Sequence, residues 1–458
     1  MAVNTSFTEL GTEKIGKLLG KYAAPSVIAM TASSLYNIVD AIFIGQGVGP
    51  LAIAGISLTF PVMQMTSAFG AMVGVGASTL LSVKLGEKDY DVAKMILGNV
   101  VVLNIIMGVV LGLLMLLFID PILYFFGATA QTVSYARDFM VVILLGNVVT
   151  HLYFGLNAML RAASHPRDAM LATIYTVCIN VILCPLFIYG FGWGIKGAAL
   201  STVLSQAVVL VWQLKLFSNK NEFIHFQKGI YKLQPRIVKS SFAIGLSPFL
   251  INLTGCTVAI FINKSLLMYG NDLDVASYGI CNRFSFFFLM IVMGLNQGMQ
   301  PIAGYNFGAR NFGRLNEVLV KTIICAEVVV CAGFVASLLV PRQIVRCFTT
   351  DAELIDISVH YIRIMFSTFP IIGFQIVVTN FFQCIGMVKK SIFLSLSRQL
   401  IFLIPAVVIL PHYLGVDGVF WSLPCGDVAA TFTTVVLFVL QMRQFRRLEA
   451  QDKGLTKA

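Results

Sequence analysis

The sequence predicts an all-α integral membrane protein of twelve transmembrane helices, in two six-helix bundles related by a pseudo-two-fold axis along the membrane normal. Three observations carry the prediction. The 458 residues are 58% hydrophobic and 12% charged, about half the charged fraction of a soluble domain. The apolar residues gather into runs of the roughly 20 residues that a helix needs to cross a hydrocarbon core. The second half of the chain also repeats the first at a near-constant offset.

The first six runs lie near 22–44, 51–82, 95–119, 138–159, 169–189 and 198–217. The second six lie near 240–267, 275–303, 322–340, 360–382, 392–410 and 419–440. Charge in the gaps delimits and orients them in order. Lys14, Lys17 and Lys21 precede the first run, which no small-residue cleavage site follows, so it reads as a retained span and not a signal peptide. Lys84, Lys88 and Lys94 separate the second from the third, and Arg161 and Arg167 the fourth from the fifth. The basic stretch from Lys215 to Lys239 separates the sixth from the seventh. Arg310, Arg314 and Lys321 follow the eighth, Lys389 and Lys390 the tenth, and Arg443, Arg446, Arg447, Lys453 and Lys457 the twelfth. The alternate gaps hold only Arg137, Lys196, Arg342 and Arg346. This bias places both termini in the cytoplasm.

The formal charge of +11 is thus confined to loops beside anionic lipid, and no nucleic-acid partner is expected. The runs lack the ten-residue alternation of an outer-membrane barrel. Nine cysteines include no C-x-x-C and no Cys/His cluster, so neither structural zinc nor a disulfide framework is expected.

The repeat aligns LAIAG with LDVAS, placing Ala54 on Ala276, and KLGEKDYDVAKMIL with NFGARNFGRLNEVL, placing Gly86 on Gly308. NAMLRA falls on NFFQCI and GIKG on GVDG, pairing Asn157 with Asn380 and Gly197 with Gly418. Six spans is an even number, so both copies enter from the same side, which sets the axis along the normal. The expected division is an N-terminal lobe at 1–217, a solvated basic cytoplasmic connector at 218–239, a C-terminal lobe at 240–440 and a cytoplasmic tail at 441–458.

No G-x-x-x-x-G-K-[ST] phosphate cradle occurs, and neither H-E-x-x-H nor G-x-S-x-G. An enzyme is not expected, nor a resident cofactor or metal. The energy source is then an ion gradient or a separate subunit, and two six-span bundles point to a secondary transporter.

Asp40, Glu327 and Asp427 are the acids well inside spans, and each needs a partner, a proton or a task. In SLYNIVDAIFIG, Tyr36 lies one turn before Asp40, and Ser33 and Asn37 follow the same side, a polar stripe that should face the bundle interior. Asp40 is either a cation-coupling group or half of a structural ion pair. Asn180 and Thr202 join Asp40 and Tyr36 as coupling candidates. Asn157, Gln206, Asn37, Arg398 and Asp427 are candidates for a substrate cleft, although buried amides also simply brace helices. Asp427 falls on the repeat position of Gln206. Glu327 is expected to pair with Lys321 or to face water. Arg283 and Arg363 could line the cleft beside Arg398 or snorkel to the interface. Pro25, in the first span, is a candidate helix bend, static or coupled to protonation.

SLYNIVDAIFIGQGVG, the pair LGEKDYDVAK and NQGMQPIAGYNFGARNFGR, INVILCPLFIYGFGWGIKGAALSTVLSQ, and SRQLIFLIPAVVILP with GVDGVFWSLPCGD together resemble the multidrug and toxic compound extrusion (MATE) family, in its bacterial MepA-like branch. The resemblance implies two lobes set as a V and export of organic cations or other xenobiotics, driven by proton or sodium entry. It also implies a multi-pass protein of the cell membrane, with a small xenobiotic and the lipid bilayer as partners; a monomer is expected. The family's span-one acid falls on Asp40 and its span-five asparagine on Asn180. Where many relatives read L-N-x-x-x-D-P, this chain reads Ile-Asn-Val-Ile-Leu-Cys-Pro, with Cys184 in place of the second acid. A thiol is a poor sodium ligand, which favours protons. The alternatives are a lipid-linked oligosaccharide flippase of the same superfamily and, further off, a channel or receptor.

Overall fold

The computed structural model describes residues 6–48, 50–126 and 128–455, among which no β-strand forms. The first repeat contributes α1 (Ile15–Gly47), α2 (Pro50–Gly86), α3 (Tyr90–Leu117), α4 (Val133–Leu145 and Asn147–Ala162), α5 (Pro166–Gly190) and α6 (Gly194–Phe217). The second contributes α7 (Pro235–Tyr269), α8 (Asp272–Gly308), α9 (Phe312–Leu339), α10 (Ala352–Phe366 and Phe369–Cys384), α11 (Val388–Leu414) and α12 (Val416–Leu455). Among the described residues nine helices are long and apolar enough to cross a membrane, and the two bent pairs raise the number to eleven. With 33 residues, α1 takes the place of the first expected span.

The repeat shows in the helix breaks. α4 bends by 57° and α10 by 50°, the first at Gly146 and the second just before Pro370. Proline fits the first turn of a helix, where its missing N–H costs nothing, but cannot continue one. α5 and α11 each relax into a π-helix, at Leu186–Gly190 and Ser397–Leu403. Pro185 immediately precedes the first segment and Pro405 stands two residues after the second, and neither can supply the N–H that the regular ladder requires.

The chain separates into two compact units, and their membership differs from a division at the connector. Unit 1 comprises Met1–Glu13 and Ile28–Asn252; unit 2 comprises Lys14–Val27 and Leu253–Ala458. The first part of α1 therefore belongs with the second repeat, and the first part of α7 with the first. Close approach of backbones fixes both. In unit 2, Gly294 and Gly298 of α8 lie against Val27 and Ala23 of α1, so near that a Cβ at either glycine would meet backbone. In unit 1, Gly76 of α2 lies against Ser241 of α7, and Gly245 of α7 against Met72. Small residues are what permit such contact within a bilayer, where lipid offers no hydrophobic drive for helices to associate.

The segment between α6 and α7 is not the solvated linker its charge suggested. The buried Asn99 of α3 donates from Nδ2 to the carbonyls of Ile230 (3.4 Å) and Lys232 (3.1 Å), and its Oδ1 accepts from the Gln234 N–H at 2.9 Å. Phe223 packs against Phe7 and Tyr90, with ring centroids 4.9 and 5.1 Å away, and Lys94 lies over its face. His165 bridges Asp168 and Glu222, each at 3.2 Å. The Asp168 carboxylate, helped by Glu222, raises the His165 pKa above its ordinary value despite partial burial. The basic side chains decorate a segment whose Phe223, Ile224 and Ile230 are drawn into unit 1.

Candidate functional site

In unit 1 the polar side chains of α1, α5 and α6 meet. Asp40 and Tyr36 stand one turn apart on α1, and Cys184 and Asn180 one turn apart on α5. The two helices meet turn for turn. Asn180 Nδ2 is 3.3 Å from Tyr36 Oη, and Cys184 Sγ donates to Asp40 Oδ1 at 3.3 Å. From α6, Thr202 Oγ1 lies 3.0 Å from Tyr36 Oη and 3.2 Å from Asn180 Nδ2, while Ser201 Oγ accepts from Asn180 at 3.3 Å. Asn180, Cys184 and Ser201 are buried, and Asp40, Tyr36 and Thr202 half-buried. Of the coupling candidates, the structure thus brings together Asp40, Tyr36, Asn180 and Thr202.

Among the described residues no cation pairs with Asp40, and a thiol is its one side-chain donor. A weak donor leaves the carboxylate open to a proton or a small cation, while the amide and three hydroxyls beside it supply oxygens and exchangeable hydrogens. No group of three or more His, Cys, Asp or Glu side chains gathers as a metal site among the described residues.

The cleft candidates separate. Asn157 donates to the Ala169 carbonyl at 3.0 Å and accepts from Arg161, so it ties α4 to α5. Gln206 accepts from Thr150 of α4 at 2.6 Å. Both amides brace helices within unit 1. The side chain of Asn37 lies outside the described residues. Arg398 and Asp427 pair in unit 2, Nε to Oδ1 at 2.9 Å. Pro25 lies inside α1, two residues before Val27, where the helix passes from unit 2 to unit 1. Glu327 does not pair with Lys321: Lys321 binds Glu317 at 2.7 Å, and Glu327 accepts from the Phe374 N–H at 2.6 Å in the first turns of the second part of α10.

Ser201 went unnoticed in the sequence, where it is one small residue in an alanine-rich stretch. Its neighbour Thr202 was the available signal. Both hydroxyls also bond back to the Ala198 carbonyl, at 2.7 and 3.3 Å, which holds them in place.

Residues 25–186 and 244–409 match the MatE family model. The chain is 28% identical over 423 residues to the multidrug export protein MepA of Staphylococcus haemolyticus, covering 92% of this chain and 93% of that one. It is 28% identical over 428 residues to the Staphylococcus aureus protein of the same name, covering 93% and 94%. Among solved structures, an outward-facing multidrug resistance MATE family transporter of the MOP superfamily aligns with a TM-score of 0.91, at 25% identity over 98% of this chain and all of that one. The MATE multidrug transporter DinF-BH aligns at 0.87, with 35% identity over 94% of this chain and 96% of that one.

Proposed function

The chain belongs to the MatE family, and on that premise we propose that it is a secondary active multidrug efflux transporter, an antiporter that exports organic cations or other xenobiotics against proton entry through Asp40. Named relatives that export drugs support the cargo class. The observation that carries the coupling site is the Asp40 carboxylate, within a membrane-embedded helix unit, with no cation partner among the described residues and with Tyr36, Asn180, Ser201 and Thr202 gathered beside it. Such a group must be neutralised from outside the protein, by a proton, an ion or the drug.

In the cycle we propose, an organic cation is bound while Asp40 is ionised. A proton from the outer side then takes its place, the polar contacts of α1 rearrange, and the drug leaves. The part of α1 that carries Asp40 continues through Pro25 into a part packed in unit 2, so a change at the carboxylate has a continuous helix along which to act. Exchange of a monovalent cation for one proton moves no net charge, and the drive is the pH gradient at about 1.4 kcal/mol per unit. Protons are favoured over sodium because Cys184 offers a thiol where a second carboxylate would bind a metal ion. We further propose a monomer in the cell membrane with both termini cytoplasmic, supported by the loop charges.

The test is ethidium uptake into proteoliposomes under an imposed pH gradient or an imposed sodium gradient, with and without Asp40→Asn. Uptake driven by the pH gradient and lost in the variant is the expected result. Full activity of Asp40→Asn would remove Asp40 from the mechanism. Counterflow under neither gradient would shift the assignment towards the flippase.

A further inference from the structure

Unit 2 holds an ion pair that the coupling site does not use. Arg398 lies ten residues into α11 and Asp427 eleven residues into α12, roughly 15 Å along each helix and so near mid-depth of a bilayer. Arg398 Nε donates to Asp427 Oδ1 at 2.9 Å. The terminal nitrogens Nη1 and Nη2 make no hydrogen bond to the described residues, and the side chain keeps 26% of its surface exposed against 10% for Asp427. A guanidinium at that depth does not abut hydrocarbon with free donors; such groups face a polar, water-filled space. Two more polar atoms are buried without a partner among the described residues, Gln399 Oε1 beside Arg398 and Thr431 Oγ1 one turn beyond Asp427. Polar atoms left unsatisfied in a native core call for an explanation. The π-helix Ser397–Leu403 sets Arg398 here, and π segments recur at functional sites.

We infer that Arg398, held by Asp427, is the docking point for a carboxylate on the cargo, so that unit 2 admits zwitterionic compounds carrying an anionic group besides their cationic one. Asp427 neutralises the guanidinium and fixes it by Nε. The Nη1 and Nη2 donors that remain have the planar spacing that a carboxylate meets with both oxygens. The Thr431 hydroxyl, one turn beyond Asp427 on α12, is a further donor on that helix, while Gln399 Oε1 is an acceptor and takes no part in holding a carboxylate. The inference rests on the transporter reading and specifies part of its substrate class.

The test uses the purified full-length protein in detergent micelles and a matched pair of dyes, a cationic rhodamine ethyl ester and its free acid. Equilibrium binding is read by fluorescence without any gradient, so a failure of proton coupling at Asp40 leaves this readout intact. The measured quantity is the ratio of the dissociation constant of the ester to that of the acid. Arg398→Gln is expected to lower this ratio by at least about ten-fold, the worth of one charge-assisted hydrogen bond. Arg398→Lys, which keeps the charge and loses the fork, falls between. Because Arg398→Gln leaves Asp427 unpaired and endangers folding, the double variant Arg398→Gln/Asp427→Asn repeats the measurement with neither charge present and is expected to show the same loss. An unchanged ratio, or acid and ester weakening together, would overturn the assignment. So would phosphatidylglycerol displacing the acid from the parent protein through Arg398, which would make the position a lipid headgroup site.

Discussion

Replacing Cys184 by aspartate should convert the Asp40 site from one that takes a proton into one that also answers to sodium. Cys184 Sγ already lies 3.3 Å from Asp40 Oδ1, and an aspartate there places a second carboxylate against the first. Two unit charges about 4 Å apart repel by about 4 kcal/mol at an effective dielectric constant near 20. Such a repulsion is close to three decades of an equilibrium constant, so the pair keeps a cation between its oxygens. Tyr36 Oη and Thr202 Oγ1, 3.0 Å apart and both within 3.3 Å of Asn180 Nδ2 one turn away on α5, are the hard oxygens next in line. The assay is ethidium uptake into proteoliposomes under a sodium gradient at equal pH on both sides. The parent should respond little, and Cys184→Asp should gain sodium-driven uptake. A folded Cys184→Asp protein that retains pH-driven uptake and stays indifferent to sodium would refute the argument, because the added carboxylate would then not share a cation with Asp40.

Two further outcomes concern stability. Gly76→Ala and Gly298→Ala each add a methyl where Ser241 or Ala23 backbone already stands; each should lose about 1–3 kcal/mol, read as a lower thermal midpoint in detergent, and parent-like midpoints would remove the close packing as a cause of stability. His165 has a raised pKa in the folded protein, chiefly from Asp168, so its ion pair with Asp168, helped by Glu222, stabilises the protein fully below the unfolded value of 6.5 and is lost as pH rises through the higher folded value. Midpoints of the parent and of His165→Ala, followed across pH, should differ most in acid and converge in alkali, and a difference independent of pH would count against the bridge.

The helical spans and their duplication are written in hydropathy, the property a bilayer selects most strongly. The spacing of Tyr36 and Asp40 likewise pointed to one helix face, and Asn180 was the natural partner. Sequence could not show which partner each amide takes: in the structure Asn157 bonds Ala169 and Gln206 bonds Thr150, while Asn180 joins Tyr36 and Thr202. Net charge hid the fold of the connector, because lysines on a surface mask the Phe223 and Ile230 side chains beneath. The grouping of α1 and α7 was hidden for a different reason. A helix reads the same in hydropathy whichever neighbours it packs against, and only the matched glycines at 76 and 298 hinted at equivalent contacts.

The exchange of those helix parts bears on how the chain is made. α1 leaves the ribosome before its packing partner on α8 exists, and unit 1 waits for the start of α7, so neither repeat closes its bundle from its own residues alone. Unit 1 has all its parts once the start of α7 has emerged, whereas the first part of α1 waits for α8 and the helices that follow it. The same arrangement describes what two copies of a single six-helix ancestor would do as a dimer, each lending its leading segment to the other in a domain swap with Pro25 or Pro248 near the crossing point. Fusing two such copies end to end would leave the swap in place, now within one chain.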